Sequence, residues 1–305
     1  MKNLIGYLMI GAIKLMGLVS FPFAQKVGRL IGKRLARKRT RSREVARVNL
    51  AMCYPDMEPA KRDQLMVDTL LENGMTGGEI GPMWGYSHEK LVALINKVHN
   101  KHILDDALAS GKGVLMMSPH LGNWEIINAY LADGICPITI MYRPAKIKSF
   151  NDWMVSRREE VGCDLVPTTR QGVQTLFDTL NAGKVVGFLP DQEPKRERGV
   201  FAPFMGVETL TPPRPQQRIL ETGCKVLYMF GRRLPEGKGF DIHILEALPE
   251  QFSEDPRTSA AAMNKAIENC IEICPAQYQW TYKRFKRRPE GEPNPYKEAR
   301  VPYCS

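Results

Sequence analysis

From residue 112 onward, short apolar runs alternate with longer amphipathic stretches. Val114 to Met117, Ile138 to Tyr142, Val185 to Leu189, Val226 to Phe230 and Ile242 to Leu245 read as strands. Between them the spacing predicts helices over 123–133, 150–161, 171–182, 214–222 and 257–274. This alternation predicts an α/β fold, a mixed sheet flanked by helices on both faces. Upstream, from about 58 to 100, the period is helical, with Leu65, Val67, Leu70 and Leu71 on one face and a Gly-rich break expected from Gly74 to Gly81. Internal repeats and low-complexity tracts are absent from the sequence.

The first fifty residues follow another pattern. Residues 4–23, LIGYLMIGAIKLMGLVSFPF, are almost unbroken apolar positions, about the twenty needed to cross a hydrocarbon core. Lys14, near the middle, would cost a spanning helix roughly 2.5 to 3.5 kcal/mol. Two readings therefore stay open, a span and a helix lying in the interface with Lys14 reaching the headgroups, and both touch a membrane. Against a cleaved signal peptide, no small-x-small site follows the run and the basic cluster comes after it. Ten basic residues between Lys26 and Arg47 would each add about 1 kcal/mol near an anionic leaflet. The positive-inside rule then puts the body of the protein on the cytoplasmic face. Taken alone, 26–47 also reads as a solvated charged helix face. The expected division is a membrane-associated helix and basic cluster over 1–50 and a folded body over 51–305.

Charge follows the same division. Of the net charge of +10, residues 1–47 carry twelve Lys or Arg against the single acid Glu44, and the other 258 residues hold 31 basic and 32 acidic side chains. The body is thus near neutral, which argues against a nucleic-acid-binding face. Seven cysteines, an odd number scattered in apolar surroundings, favour free thiols in a reducing compartment. Cys270 and Cys274 have i, i+4 spacing but no His or second Cys pair beside them, so no metal site is expected.

Three common motifs are missing: the Gly-x-Ser-x-Gly elbow, the phosphate loop ending in Gly-Lys-Ser/Thr, and Gly-x-Gly-x-x-Gly after a strand. Chemistry is sought instead in the loops after the strands. The first reads Ser118-Pro119-His120-Leu121-Gly122-Asn123-Trp124-Glu125. Gly122 permits a sharp bend, Asn123 is a good N-cap, and Glu125 in the first helical turn would accept a hydrogen bond from His120. The other ring nitrogen would then be a general base of fixed tautomer, with the nucleophile supplied by substrate. A loop histidine followed by a helix-starting glutamate is the plainer reading of the same residues. Arg143, after the second strand, is placed to bind phosphate or a developing oxyanion. Asp191 lies at the tip of the third strand, where a turn-forming role is equally open. His88, His99, His102 and His243 read as surface or packing residues.

In this order the residues resemble the lysophospholipid-acyltransferase superfamily, marked by His-x4-Asp/Glu, and within it the late acyltransferases of lipid A biosynthesis, the lauroyl and myristoyl transferases. The resemblance runs through nearly the whole chain: the apolar helix and basic cluster, ARVNLAMCYPDM, HLGNWE, YRPAKIKSFNDWM, LPDQEP, FAPFMGVETLTPPRP and AAMNKAIENCIEICPAQYQWTYKRFKRRPEG. One departure is Pro212, Pro213, Arg214 and Pro215, where many relatives run less interrupted. The resemblance implies an acyltransferase domain over 51–305 on the cytoplasmic face of a bacterial inner membrane. It would move an acyl chain from acyl carrier protein to the hydroxyl of a 3-hydroxyacyl chain on a lipid A precursor, forming an acyloxyacyl ester. His120 and Glu125 are the implied catalytic pair; Arg143, Asp191 and Asn123 are the implied substrate contacts; no metal or organic cofactor is implied. Lys195 to Arg198 and Lys283 to Arg288 are candidate surfaces for the acidic carrier, the latter equally a second lipid-headgroup contact. Rival readings are acylation of another phospholipid or glycolipid, a membrane-associated thioesterase, and a non-catalytic scaffold on acidic lipid.

Overall fold

The computed structural model describes residues 2–301, so Cys304 lies outside the described residues. Four helices open the chain: α1 (Lys2–Gly17), α2 (Phe21–Arg37), α3 (Arg41–Cys53) and α4 (Pro59–Gly85). A short α5 (His88–Val92) leads to β1 (Ile95–His99) and α6 (Lys101–Ala109). Strands and helices then alternate: β2 (Val114–Met117), α7 (Glu125–Ala132), β3 (Ile138–Tyr142), α8 (Lys148–Glu160), β4 (Cys163–Pro167), α9 (Arg170–Asn181) and β5 (Val185–Phe188). A hairpin of β6 (Val200–Phe204) and β7 (Val207–Thr211) precedes α10 (Arg214–Thr222), β8 (Lys225–Arg233), β9 (Phe240–Glu246), α11 (Pro256–Ile273) and the single turn α12 (Pro295–Glu298).

Seven strands form one sheet in the order β1-β9-β8-β2-β5-β3-β4. Strands β2, β3, β4, β5 and β8 run parallel, β9 runs against β8, and β1 runs with β9, so the sheet is mixed as expected. Central β2 is buried on both sides. Leu115 and Met117 join a core with α3, α9 and α11, while Val114 and Met116 join another with α6 and α7. A strand covered on both faces reads as one apolar run, which is why its bounds are legible in sequence. The parallel arrangement directs the loops after β2, β3 and β5 to the same end of the sheet, the end where α/β proteins place their sites.

Two expectations about the helices are corrected. The Gly-rich stretch 74–81 does not break a helix; it lies inside the 27-residue α4. Its glycines serve close packing, since a Cβ on Gly28 of α2 would overlap the Gly74 carbonyl and one on Gly74 would overlap that of Gly28. Gly28→Val is expected to force the two helices apart and cost about 1 to 3 kcal/mol, as overpacking does, read as a lower Tm.

The apolar run 4–23 is also not one helix. It divides at Leu18–Ser20, with Pro22 in the first turn of α2, where its missing N–H costs nothing. Helix α1 has 16 residues, about 24 Å at 1.5 Å each, short of the roughly 30 Å of a hydrocarbon core. Among the described residues no helix is long and apolar enough to cross a membrane, so the spanning reading is set aside. Helix α3 straddles residue 50 and gives Val45, Ala46, Leu50 and Cys53 to the larger core.

Candidate active site

The loop after β2 is held from two sides. Gly122, at φ +61°, takes the left-handed turn expected of it, and a Cβ there would overlap the Gly231 carbonyl. Asn123 N donates to Gly231 O at 2.9 Å, Gly122 N to Gln277 O at 3.1 Å, and Gln279 N to His120 O at 3.0 Å. The segment Gln277 to Gln279 thus clamps the histidine loop against the end of β8. Gly122→Ala is expected to combine left-handed strain of about 1 to 2 kcal/mol with displacement of this loop, lowering both Tm and turnover.

His120 is oriented by Asp191. Its backbone N donates to Asp191 Oδ2 at 2.9 Å and its Nδ1 meets Oδ1 at 2.7 Å. Asp191 is 3% exposed. Burial pulls its pKa upward, but the His120 charge, the hydrogen bonds from His120 and the nearby Arg284 cation outweigh burial and leave it below the usual carboxylate range. An ionised Asp191 has no proton to give, so Nδ1 is the donor and, in the neutral ring, Nε2 carries the lone pair. Nε2 faces the amide nitrogen of the exposed Gln192 at 3.2 Å, which can donate to it. Trp124 packs edge-on to the ring, centroids 5.0 Å apart.

Glu125, expected as the partner of His120, does not hold the ring. Its carboxylate pairs with Arg158 of α8, through Nη2 to Oε1 and through Nε to Oε2 at 3.1 Å. Burial works against the charge of Arg158, but Glu125 beside it raises its pKa further. Asn123 is 2% exposed and has both amide atoms engaged: Oδ1 accepts from Glu125 N at 3.0 Å and Nδ2 donates to Glu79 Oε2 at 2.9 Å. Its side chain therefore braces the turn and tethers it to α4, while the N-cap position of α7, expected at Asn123, is taken by Trp124. Arg143 is exposed beyond β3 and has no hydrogen-bond or ion-pair partner among the described residues.

Several contributors escaped the sequence reading. Arg284, expected within the Lys283 to Arg288 docking surface, is instead buried, donates to Leu210 O at 2.7 Å, and places its charge near Asp191. Burial first, then the charge of Asp191, push the Tyr278 hydroxyl well above its usual pKa. Gln192 directly follows Asp191 in LPDQEP, and a polar residue next to an expected site residue was the available signal. Nothing local marks Arg158, which pairs across 33 positions.

A metal could be held elsewhere. His99, Asp241 and His243 offer ligand atoms within 4.8 Å of one another on the edge strand β1 and its neighbour β9, three and two strands from β2. The rings of His99 and His243 stack at 4.2 Å, and Phe230 covers the other His243 face at 5.3 Å. Burial, then the neighbouring His99, lower the pKa of His243 to about 4.

The family model described as bacterial lipid A biosynthesis acyltransferase matches residues 1–287. A lipid A biosynthesis lauroyltransferase of Escherichia coli is 28% identical over 294 residues, 95% of this chain and 94% of that protein. The lipid A biosynthesis palmitoleoyltransferase of the same organism is 28% identical over 290 residues, covering 94% and 92%. A phosphatidylinositol mannoside acyltransferase of Mycobacterium tuberculosis is 26% identical over 228 residues, covering 70% and 72%.

Proposed function

Because the chain belongs to the bacterial lipid A biosynthesis acyltransferase family and is an acyltransferase, we propose that His120 Nε2 is the general base for transfer onto a hydroxyl of a lipid A precursor. The observation that carries this reading is the Asp191–His120 pair, which leaves Nε2 with its lone pair facing an exposed side chain. The donor is an acyl thioester on acyl carrier protein, and the acceptor is the hydroxyl of a 3-hydroxyacyl chain. Nε2 takes the hydroxyl proton as the oxygen attacks the thioester carbonyl. The tetrahedral intermediate then expels the thiolate, which recovers the proton from His120, and the product is an acyloxyacyl ester. Arg143, without a partner of its own, meets the substrate or the developing oxyanion. Glu125 acts through Arg158 as a positioning residue, and the chemistry needs no metal or organic cofactor. The acidic carrier docks on Lys195 to Arg198, all exposed.

Membrane contact in this reading is interfacial and cytoplasmic. Leu4, Tyr7, Leu8, Leu15 and Leu18 of the first helix and its exit are more than half exposed, and Leu30 and Ile31 of α2 continue the apolar surface beside exposed Lys33, Arg34 and Arg37. Changing Leu4, Leu8 and Leu15 to Glu is expected to release the protein from anionic vesicles in a flotation assay without changing its Tm. Retention of full binding would refute this role for α1.

The reaction is tested by mass spectrometry with purified protein, a panel of acyl carrier protein thioesters, and lipid A precursor or lysophospholipid. The expected result is one acyl mass gained by the lipid A precursor and no gain with His120→Ala. The mannoside-acylating relative supports a second reading, another glycolipid as acceptor. Acylation of such a lipid alone would keep the base and replace the acceptor, and free fatty acid alone would make the protein a thioesterase.

A further inference from the structure

Gln192, whose amide faces His120 Nε2, also lines a cavity of about 550 Å³. Its walls include Arg41, Gln279, Lys283, Lys286 and Arg287, drawn from the start of α3 and from the segment after α11, with little apolar surface among them. The acid that lines it, Glu193, is already committed. It accepts from Arg287 Nη1 at 2.5 Å and from Arg287 N at 2.6 Å. Arg41 and Lys286 are exposed, and among the described residues neither forms an ion pair. The fold has therefore brought positive charge without a counterion to within one side chain of the base.

Such a wall suits a compact anion with several acceptor oxygens, since guanidinium and ammonium groups both donate to phosphoryl oxygens. We propose that this cavity binds a phosphate monoester carried by the lipid acceptor and so holds the acceptor hydroxyl against His120 Nε2. The inference rests on the acyl-transfer reading for the identity of that hydroxyl. Position separates the two phosphates that such a reaction brings. The thioester carbon must come within about 3.5 Å of the attacking oxygen, which leaves the carrier's own phosphate at the far end of its long pantetheine arm. On a phosphorylated sugar, phosphate and acyl chain share one ring, so both can lie at neighbouring positions beside His120.

The test compares wild type with Arg41→Ala/Lys286→Ala, both exposed positions, with Tm measured to verify the fold. Equilibrium binding is measured in detergent micelles to phosphorylated lipid A precursor and to the same lipid after phosphatase treatment. The variant is expected to bind the phosphorylated lipid about tenfold more weakly, equivalent to about 1.4 kcal/mol, and the stripped lipid as wild type does. The KM for the carrier thioester is expected to stay unchanged, and Lys286→Arg to retain wild-type binding. Equal weakening toward both lipids, unchanged binding of both, or an effect confined to the thioester KM would each overturn the assignment. Because binding needs no turnover, selective binding by a protein that transfers no acyl group would refute the acyl-transfer reading and leave the phosphate site standing.

Discussion

Asp191→Asn is expected to lower the rate of acyl transfer by about a thousandfold or more, as the equivalent change does in other histidine-base systems, while the protein stays folded. Asp191 faces two donors, His120 N on Oδ2 and His120 Nδ1 on Oδ1. An asparagine has one acceptor oxygen for both. If that oxygen serves the backbone N–H, the amide NH2 faces Nδ1 and moves the ring proton to Nε2, which removes the base. If it serves Nδ1, two N–H groups confront each other and the loop shifts. Steady-state kinetics with the mass-spectrometric readout, together with circular dichroism, would distinguish loss of chemistry from loss of fold. Glu125→Gln is expected to have a much smaller effect on kcat, because its carboxylate orients Arg158 rather than the ring. The reverse ranking would reinstate Glu125 as the partner of His120. Since Asp191 titrates below the usual carboxylate range, the stability its charge contributes is fully present above that usual range and is lost as the pH falls through its depressed folded value. A loss of activity between pH 5 and 7 would therefore report some other group.

The contrast between Asp191 and Glu125 shows what a sequence can carry. The strand–loop–helix order around His120 is local, so β2, Gly122 and the helix that begins at Glu125 were all legible from apolar runs and turn chemistry. Proximity in sequence also made Glu125 the nearest acid, and it proved the wrong one for the ring. The partner lies 71 residues away, and it arrives because β2 and β5 are paired parallel with Met117 opposite Phe188, so their following loops leave the sheet side by side. Register of that kind is set by packing and is invisible to period counting. Both edge strands were missed for a simpler reason. In β1 only Ile95 and Val98 are apolar and no residue is fully buried, and in β4 only Cys163 is. In β6, Pro203 demotes the run, although it lies in a two-stranded hairpin where one missing donor is tolerated. The glycines of α4 misled because a glycine inside a helix is read as a breaker, whereas here the missing side chain is what lets α2 approach.

Arg233→Met is expected to destabilise the protein by about 3 to 5 kcal/mol, the usual cost of leaving a buried charge without its partner, and so to lower Tm by several degrees. Arg233, at the end of β8, donates to Glu79 Oε1 at 2.5 Å and Oε2 at 2.6 Å, to Glu72 at 2.7 Å and to Thr76 at 2.8 Å. Glu79 is 0% exposed and also accepts from Gln25 of α2 and from Asn123 of the histidine loop. Removing the guanidinium strands two carboxylates, for which burial already pushes the Glu72 pKa upward. Adding Glu79→Gln to Arg233→Met is expected to recover part of the loss, since it removes one unpaired charge. The effect should reach the active site through two short links, because Arg233 N donates to Gln277 Oε1 at 2.9 Å and Gln277 O in turn accepts from Gly122 N. Turnover of Arg233→Met is therefore expected to fall at temperatures well below its own unfolding transition. If kcat stays at the wild-type value until the protein melts, the network stabilises the fold without setting the position of His120.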